Sequence, residues 1–73
     1  MVDVNKLRSR MALMGHTQRS LVAEMNERGV KISENTLSSK MNNPRKFDCE
    51  DADVICDILG LDQPADKAEI FLA

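Results

Sequence analysis

Residues 33–42 concentrate small hydroxyl and amide side chains, and their spacing predicts one short helix. An α-helix turns about 100° per residue, so Leu37 and Met41 share one side, which we expect to pack in the core. The opposite side presents a continuous polar arc, which consists of Ser38, Asn42, Asn35 and Ser39, with Glu34 on its flank. Asn can pair with adenine, Ser with several bases, and Glu can accept a hydrogen bond from cytosine. The arc has the chemistry to contact base edges, although a solvated surface helix of this composition would show the same pattern.

The segment before this helix favours the first of these two interpretations. It is predicted as another amphipathic helix, which Thr17 caps and Gly29 ends, with Leu21, Val22 and Met25 as its apolar face. Two such helices joined by a brief glycine-containing connection are typical of a helix-turn-helix. The motif extends over about residues 17–42 and indicates double-stranded DNA as the ligand.

Contacts to phosphates are predicted at both ends of this motif. Backbone amides at the start of the earlier helix can face a phosphate, and cationic side chains beyond the later helix can contact the flanking ones. We expect the stem of Lys40 to lie along apolar surface with its ammonium group reaching solvent, so this residue is left out. The candidate DNA-binding residues are Thr17, Gln18, Arg19, Ser33, Glu34, Asn35, Ser38, Ser39, Asn42, Arg45 and Lys46.

Three further helices are predicted around the motif, and no strand pattern competes with them. The first begins at Asp3, ends at Gly15 and has an apolar stripe that consists of Val4, Leu7, Met11 and Met14. The fourth is capped by Asp48 and ended by Gly60, and a short fifth covers residues 64–71. The expected fold class is therefore all-α, a compact bundle of four or five helices.

Composition supports a single all-α domain over residues 1–73. The chain is 42% hydrophobic, yet only two residues are aromatic, fewer than a β-sandwich usually contains. Its net charge of −2 hides a split: residues 1–46 have nine Lys and Arg against four acids, whereas residues 47–73 have one Lys against eight acids. We expect the basic half to approach phosphates and the acidic helix and tail, residues 48–73, to face away from DNA.

The sequence offers little chemistry for catalysis, metal binding or membrane insertion. It has no Ser/His/Asp or Cys/His arrangement and no glycine-rich phosphate loop, so we expect no enzyme activity, cofactor, metal or small-molecule substrate. Cys49 and Cys56 lie on one predicted helix face and cannot bridge without breaking the helix, which favours buried, reduced thiols in a cytoplasm. No apolar run is long enough to span a membrane, and the first ten residues lack the apolar stretch of a signal peptide.

The fourth helix has a second apolar stripe, which we expect to be buried against another part of the chain or another molecule. Val54 and Ile58 lie opposite the core-facing side chains Ile55 and Leu59. The C-terminal tail, with Phe71, can fold back on them, or a second copy of the chain can cover them, and both can be true. The dimer suits a module that alone would bury too little DNA surface, and it predicts an interface containing Val54, Ile58 and Phe71.

A resemblance to a known family is carried by the segments Thr17-Gln18-x-x-Leu21-Val22 and Ile32-Ser33-x-x-Thr36-Leu37-Ser38. These resemble the helix-turn-helix of the Cro and repressor proteins of bacteriophages and their bacterial relatives. The outer helices and the closing Ile70-Phe71-Leu72-Ala73 are also similar to those of small prophage regulators, and the resemblance covers most of residues 4–61. It implies a lambda-repressor-like fold, backbone contacts by Gln18 and Asn42, and base or phosphate contacts by Ser33, Glu34, Asn35 and Ser39.

These patterns predict a sequence-specific regulator of transcription of the phage or prophage Cro or repressor type, which binds duplex DNA as a homodimer. The third helix would enter the major groove. The alternative is a protein–protein interaction module on the same scaffold, such as an antirepressor or antitoxin, with DNA not its main ligand. The acidic C-terminal half and Glu34 favour that alternative.

Overall fold

The computed structural model describes residues 2–61 and 63–71, which form five α-helices and one turn of 3₁₀ helix. In chain order they are α1 (Val4–Leu13), α2 (Gln18–Glu27), α3 (Glu34–Asn42), the 3₁₀ turn (Pro44–Lys46), α4 (Cys49–Leu59) and α5 (Pro64–Phe71). This part of the chain contains no strand, and the all-α prediction is confirmed. Asp62 of the acidic half and Leu72 and Ala73 of the expected tail lie outside the described residues.

Side-chain caps fix where four of the helices begin. Asp3, Thr17, Ser33 and Asp48 each accept a hydrogen bond from the backbone N–H three residues further on. A cap of this kind satisfies one of the four amide donors that a helix start leaves without a partner. At α2 the bonding is reciprocal, because the Ser20 hydroxyl also accepts from the Thr17 N–H at 2.9 Å. These local bonds set the helix starts where the sequence predicts them.

Gly29 ends α2 in a conformation that a side chain would strain. Its φ is +90°, and the Val30 N–H donates to the Met25 carbonyl at 2.9 Å while the Gly29 N–H donates to Asn26 at 3.1 Å. This pair of bonds turns the chain sharply away from the helix axis and satisfies two of its last carbonyl groups. Val30 and Met25 are both buried, which secures the turn from the core side.

The core is one aliphatic cluster to which all five helices contribute. Its fully buried side chains are Leu7, Leu21, Met25, Leu37, Ile55 and Leu59. α2 packs against both α3 and α4, and α1 packs against α5. The Asp3 N–H donates to the Ile70 carbonyl at 2.6 Å, which joins the start of α1 to the end of α5. The whole body measures 27 × 22 × 20 Å.

Two residues expected in the core lie outside it. Met14 follows the last residue of α1 and is 45% exposed, so the buried part of the apolar stripe ends at Met11. Cys49 is the first residue of α4 and is exposed, because the core begins one turn further along this helix. Cys56 is buried as expected, and desolvation by burial raises the pKa of its thiol.

The expected dimer surface also needs one correction. Phe71 is only 9% exposed and packs edge-on against Phe47 of the same chain, with ring centroids 6.4 Å apart. It therefore cannot supply the apolar area that a partner would cover. Val54 and Ile58 pack partly against the core and keep part of their surface exposed.

Candidate nucleic-acid interface

The polar side of α3, which we call the α3 polar face, consists of Glu34, Asn35, Ser38, Ser39 and Asn42. Its orientation follows from burial on the opposite side, where Leu37 is fully buried and Met41 is 3% exposed. Glu34, Asn35 and Asn42 are exposed, and the two serines are half-buried. An α-helix with its side chains is about 10–12 Å in diameter, which matches a major groove about 12 Å wide. The exposed part of this face is therefore accessible to a groove of this width.

Two predicted contact residues have hydroxyl groups that are occupied within the chain. The Thr17 hydroxyl accepts from the Ser20 N–H at 3.1 Å. Ser33 accepts from the Thr36 N–H at 3.1 Å and donates to the Thr36 hydroxyl at 3.0 Å. Both residues are exposed, but their main structural role is to start α2 and α3. Side-chain amides without a partner in the described residues are left at Asn35, in the first turn of α3, and at Asn42, in its last turn.

The starts of α2 and α3 differ in how well they suit an anion. The first turn of α2 contains no acid, and within the described chain the backbone N–H groups of Gln18 and Arg19 have no acceptor. Unpartnered amides at a helix start attract phosphate. The first turn of α3 carries Glu34, whose negative charge opposes a phosphate there. The start of α2 is therefore the better phosphate position, and the start of α3 the better base position.

An ion pair connects these two helix starts. The Arg19 Nε lies 4.0 Å from Glu34 Oε2, and the two side chains are 86% and 55% exposed. Water screens such a pair, so it contributes at most about 1 kcal/mol. Arg19 can therefore leave Glu34 for a nearby phosphate at little cost, or stay and offset the carboxylate charge.

The 3₁₀ turn places two cations at the other end of the α3 polar face. The sequence predicts that α3 stops near Pro44, but it does not predict the 3₁₀ turn that follows. It holds Arg45 and Lys46 exposed, and the Lys46 ammonium donates to the Ser39 hydroxyl at 3.0 Å. The bond from Lys46 to Ser39 places the turn next to the α3 polar face.

Ion pairs inside the chain occupy other cations of the basic half. Arg28 contacts Asp57 at 2.9 Å and Glu24 at 2.6 Å, and these two hydrogen bonds, the one to Asp57 first, raise its pKa. Lys6 contacts Glu69 at 3.4 Å. Within residues 2–61 and 63–71, Arg45 and Lys46 form no ion pair, which leaves them available to an external anion.

The expectation for Lys40 is wrong. Its ammonium group pairs with the Asp51 carboxylate of α4 instead of reaching solvent, and the Asp51 residue is 3% exposed. Asn26 also has a role that the sequence does not suggest, because its amide donates to Val22 at 2.8 Å and to Ile32 at 3.0 Å. These bonds fix the connection between α2 and α3. The Lys40 partnership depends on tertiary packing, and the bond from Asn26 to Ile32 depends on the path of the connection between the helices.

Two further observations concern other kinds of site. No group of three His, Cys, Asp or Glu side chains in the described part of the chain is placed to hold a metal ion. Of the helices described here, none combines the length and apolar character needed to cross a membrane.

A family model described as a Cro/C1-type HTH (helix-turn-helix) DNA-binding domain matches residues 6–69. The matched region extends from α1 into α5 and includes the whole α3 polar face. No curated protein and no solved structure matches the chain.

Proposed function

Because the chain belongs to the Cro/C1-type helix-turn-helix DNA-binding family, we propose that it is a sequence-specific transcriptional regulator of the phage or prophage Cro or repressor type. One observation supports this most strongly: the α3 polar face has cations that form no ion pair at one end, and free backbone amides of the α2 start at the other. Amides at a base-contacting surface flanked by phosphate contacts are the arrangement of direct readout. A cytoplasmic location accords with this proposal and with two free thiols.

In the proposed complex, α3 lies in the major groove and α2 crosses the backbone. Asn35 and Glu34 contact base edges, with Ser38 and Ser39 beside them. The Gln18 amide, Thr17, Ser33 and Asn42 line the phosphate edges. Arg19, Arg45 and Lys46 supply the cations that displace counterions, so binding weakens steeply as salt rises.

The side chain of Glu34 predicts which base it contacts in this proposal. A carboxylate accepts hydrogen bonds and cannot donate them, so it suits the amino group of cytosine and repels an acceptor at the same place. Arg19, 4.0 Å away, offsets the charge that would otherwise face the DNA. Asn35 suits adenine, because its amide can donate to N7 and accept from N6.

We also propose that two copies act together on DNA. The longest dimension of the body is 27 Å, shorter than the roughly 34 Å between half-sites one helical turn apart. One copy can therefore occupy a single half-site. Val54 and Ile58, half-buried on α4, provide apolar surface for a second copy.

The test is selection of bound duplexes from a random DNA pool by the full chain. The expected result is an enriched consensus with two-fold symmetry, in which each half carries cytosine and adenine at adjacent contact positions. Enrichment of no sequence, together with no binding of any duplex at low salt, would contradict the proposal.

The ion pairs of α4 argue against the alternative in which the chain is a protein–protein interaction module. Two of its acids, Asp51 and Asp57, already pair with Lys40 and Arg28 of the same chain. Asp51 is buried and therefore not free to imitate DNA or to bind a basic partner, and binding through Asp57 would have to displace Arg28. Chromatography on heparin near neutral pH and low salt separates the two ideas, because retention supports DNA binding and flow-through supports the alternative.

A further inference from the structure

The pair Lys40–Asp51 lies directly behind the helix that is proposed to enter the groove. Lys40 is in the last turn of α3, and Asp51 is in the first turn of α4. Their side chains are 16% and 5% exposed, and Asp51 is the single buried charged residue in the described part of the chain. An ion pair in this position connects the recognition helix to the helix behind it.

Asp51 is held in place by α4 itself. Its backbone N–H donates to Asp48 Oδ1 at 2.8 Å, and its Oδ2 accepts from the Asp48 N–H at 3.3 Å. The same Oδ2 contacts the Lys40 ammonium. The carboxylate is thus fixed by the α4 cap, and Lys40 is the mobile member that must reach it. The position of the α3 end is therefore coupled to the start of α4.

Stability alone is a weak reason for such a pair. Removing two charges from water costs roughly as much as their attraction provides, so apolar residues of similar size usually stabilise a fold equally well. A charged pair differs from an apolar pair because separating the helices leaves a buried charge without its partner, so placements of α3 that take Lys40 out of reach of Asp51 are penalised. No buried side-chain N or O atom in the described residues lacks a partner, which this pair helps to ensure.

We propose that Lys40 and Asp51 are positioning residues that set the orientation of α3 relative to α4, and thereby the discrimination between DNA sequences. The proposal rests on the proposed function. The pair does not contact DNA: it holds Asn35 and Glu34 at the depth and angle where their bonds to bases form.

The test replaces the pair with neutral residues while keeping the α4 cap. Ser20 performs the same capping at α2 with bonds of 2.9 and 3.1 Å, so Asp51→Ser retains a capping group, and Lys40→Met supplies an uncharged stem. The double variant K40M/D51S is expected to remain folded. Its affinity ratio between the selected operator and a scrambled duplex should fall about tenfold, comparable to losing one base contact, with the scrambled duplex bound as before.

A matched control removes another ion pair that connects α4 to its neighbours. R28M/D57S acts on side chains that are 36% and 72% exposed, between α2 and α4, and should leave the affinity ratio unchanged. The conservative variant D51E keeps both the charge and a capping group, and should retain most of the discrimination.

Three results would overturn the proposal. The first is an unchanged affinity ratio in a folded K40M/D51S. The second is loss of the fold in both K40M/D51S and a second neutral pair, K40M/D51N, because the ion pair would then stabilise the fold itself. The third is an equal fall of the ratio in R28M/D57S. Failure of the proposed function is distinguishable, since the unaltered chain would then show no discrimination at all.

Discussion

At the scale of single residues, the polar side chains near α3 divide into those with partners in the chain and those without. The Thr17 and Ser33 hydroxyls serve as helix caps, and Ser39 receives a bond from Lys46. Asn35 is exposed at the second position of α3 and has no such partner in the described residues. We expect Asn35 to contribute most to base preference.

The first prediction compares Asn35 with Arg45. Asn35→Ala should relax preference at one base pair by about 1–3 kcal/mol, whereas Arg45→Ala should weaken all duplexes alike and reduce the salt slope by about one. Competition binding with single-base operator variants at several salt concentrations measures both. Asn5→Ala, at an exposed position on α1, is the control and should change neither. Equal losses on every sequence for Asn35→Ala would contradict the base contact.

The second prediction concerns the charge of Glu34. Glu34→Gln keeps the shape and adds a donor, so preference at that base pair should move from cytosine towards adenine. Repeating the selection from a random pool with the variant measures this change. Glu27→Gln, at an exposed position at the end of α2, should leave the consensus intact. An unchanged consensus for Glu34→Gln would mean that this side chain does not contact bases.

At the scale of helices, the connection between α2 and α3 determines how the motif is presented. Gly29 turns the chain at φ +90°, and the Asn26 amide bonds to both Val22 and Ile32. Six residues separate the two helices, and these contacts leave few of them free to move. The relation between α2 and α3 is therefore fixed by side-chain bonds as well as by packing.

The third prediction tests this connection by strain. A Cβ at position 29 would meet nothing within 4 Å, so the cost of Gly29→Ala comes from the backbone conformation alone. We expect it to lower the free energy of unfolding by about 1–2 kcal/mol, and Gly29→Asn to cost less because Asn tolerates positive φ better. Urea denaturation measures both. Equal stability of the glycine and alanine forms would contradict the left-handed conformation.

The fourth prediction concerns the cap of α4 in acid. The Asp51 N–H lowers the pKa of the Asp48 carboxyl below its usual 3.8, and the Lys40 charge adds to this effect. A lowered pKa means that the stabilisation is present above the unfolded-state value and is lost as pH falls through the folded-state value. The urea concentration at the midpoint of unfolding should therefore decrease when the pH is lowered below about 4. Asn at position 48 is also a good cap but does not titrate, so Asp48→Asn should show a smaller decrease of the urea midpoint in acid. An identical decrease in the variant and the unaltered chain would contradict the role of Asp48.

Local chemistry explains how much of the fold the sequence predicts. Caps such as Asp3 and Ser33, and the glycines that end α1, α2 and α4, act within a few residues, so helix starts and ends are visible in the chain. Lys40 and Asp51 lie eleven residues apart on different helices, and their contact depends on how α3 and α4 both pack against α2. Met14 and Cys49 have the right periodicity for the core, but each lies at a helix end that the core does not reach.

For the candidate site as well, the sequence predicts local features but not contacts that depend on packing. Which side of α3 faces outward follows from Leu37 and Met41, and burial agrees with it. The Arg19–Glu34 contact and the bond from Lys46 to Ser39 were not predictable, because they depend on the angle between α2 and α3 and on the 3₁₀ turn. Residue types therefore indicate a DNA-binding surface before the partners of each side chain are known.

At the scale of the whole molecule, charge is arranged more finely than a basic half and an acidic half. Arg28 and Lys40 belong to the basic half, yet both pair with acids of α4. These ion pairs join the two halves, while Arg45 and Lys46, next to the α3 polar face, are among the cations that form no ion pair within the described residues. A net charge of −2 is therefore compatible with DNA binding.

The fifth prediction concerns the second copy. Ile58→Glu places a charge in the proposed dimer surface, so affinity for a two-half-site operator should fall about a hundredfold while affinity for one half-site is retained. Leu13→Glu is the control, since Leu13 is a large hydrophobic residue, 74% exposed, outside that surface. Sedimentation and binding to both DNA lengths measure the effect. Dissociation by Leu13→Glu alone would place the interface at the end of α1 instead.

The two thiols of α4 have one practical consequence. Cys49 is open to solvent and Cys56 is enclosed in the core, so alkylating reagents will modify the first in the native protein and the second only when α4 separates from its neighbours. The slower modification thus reports the opening equilibrium of the domain, and the faster one serves as an internal standard for reagent activity. Adding operator DNA should slow only the modification of Cys56, which gives a readout of ligand-induced protection with no engineered label.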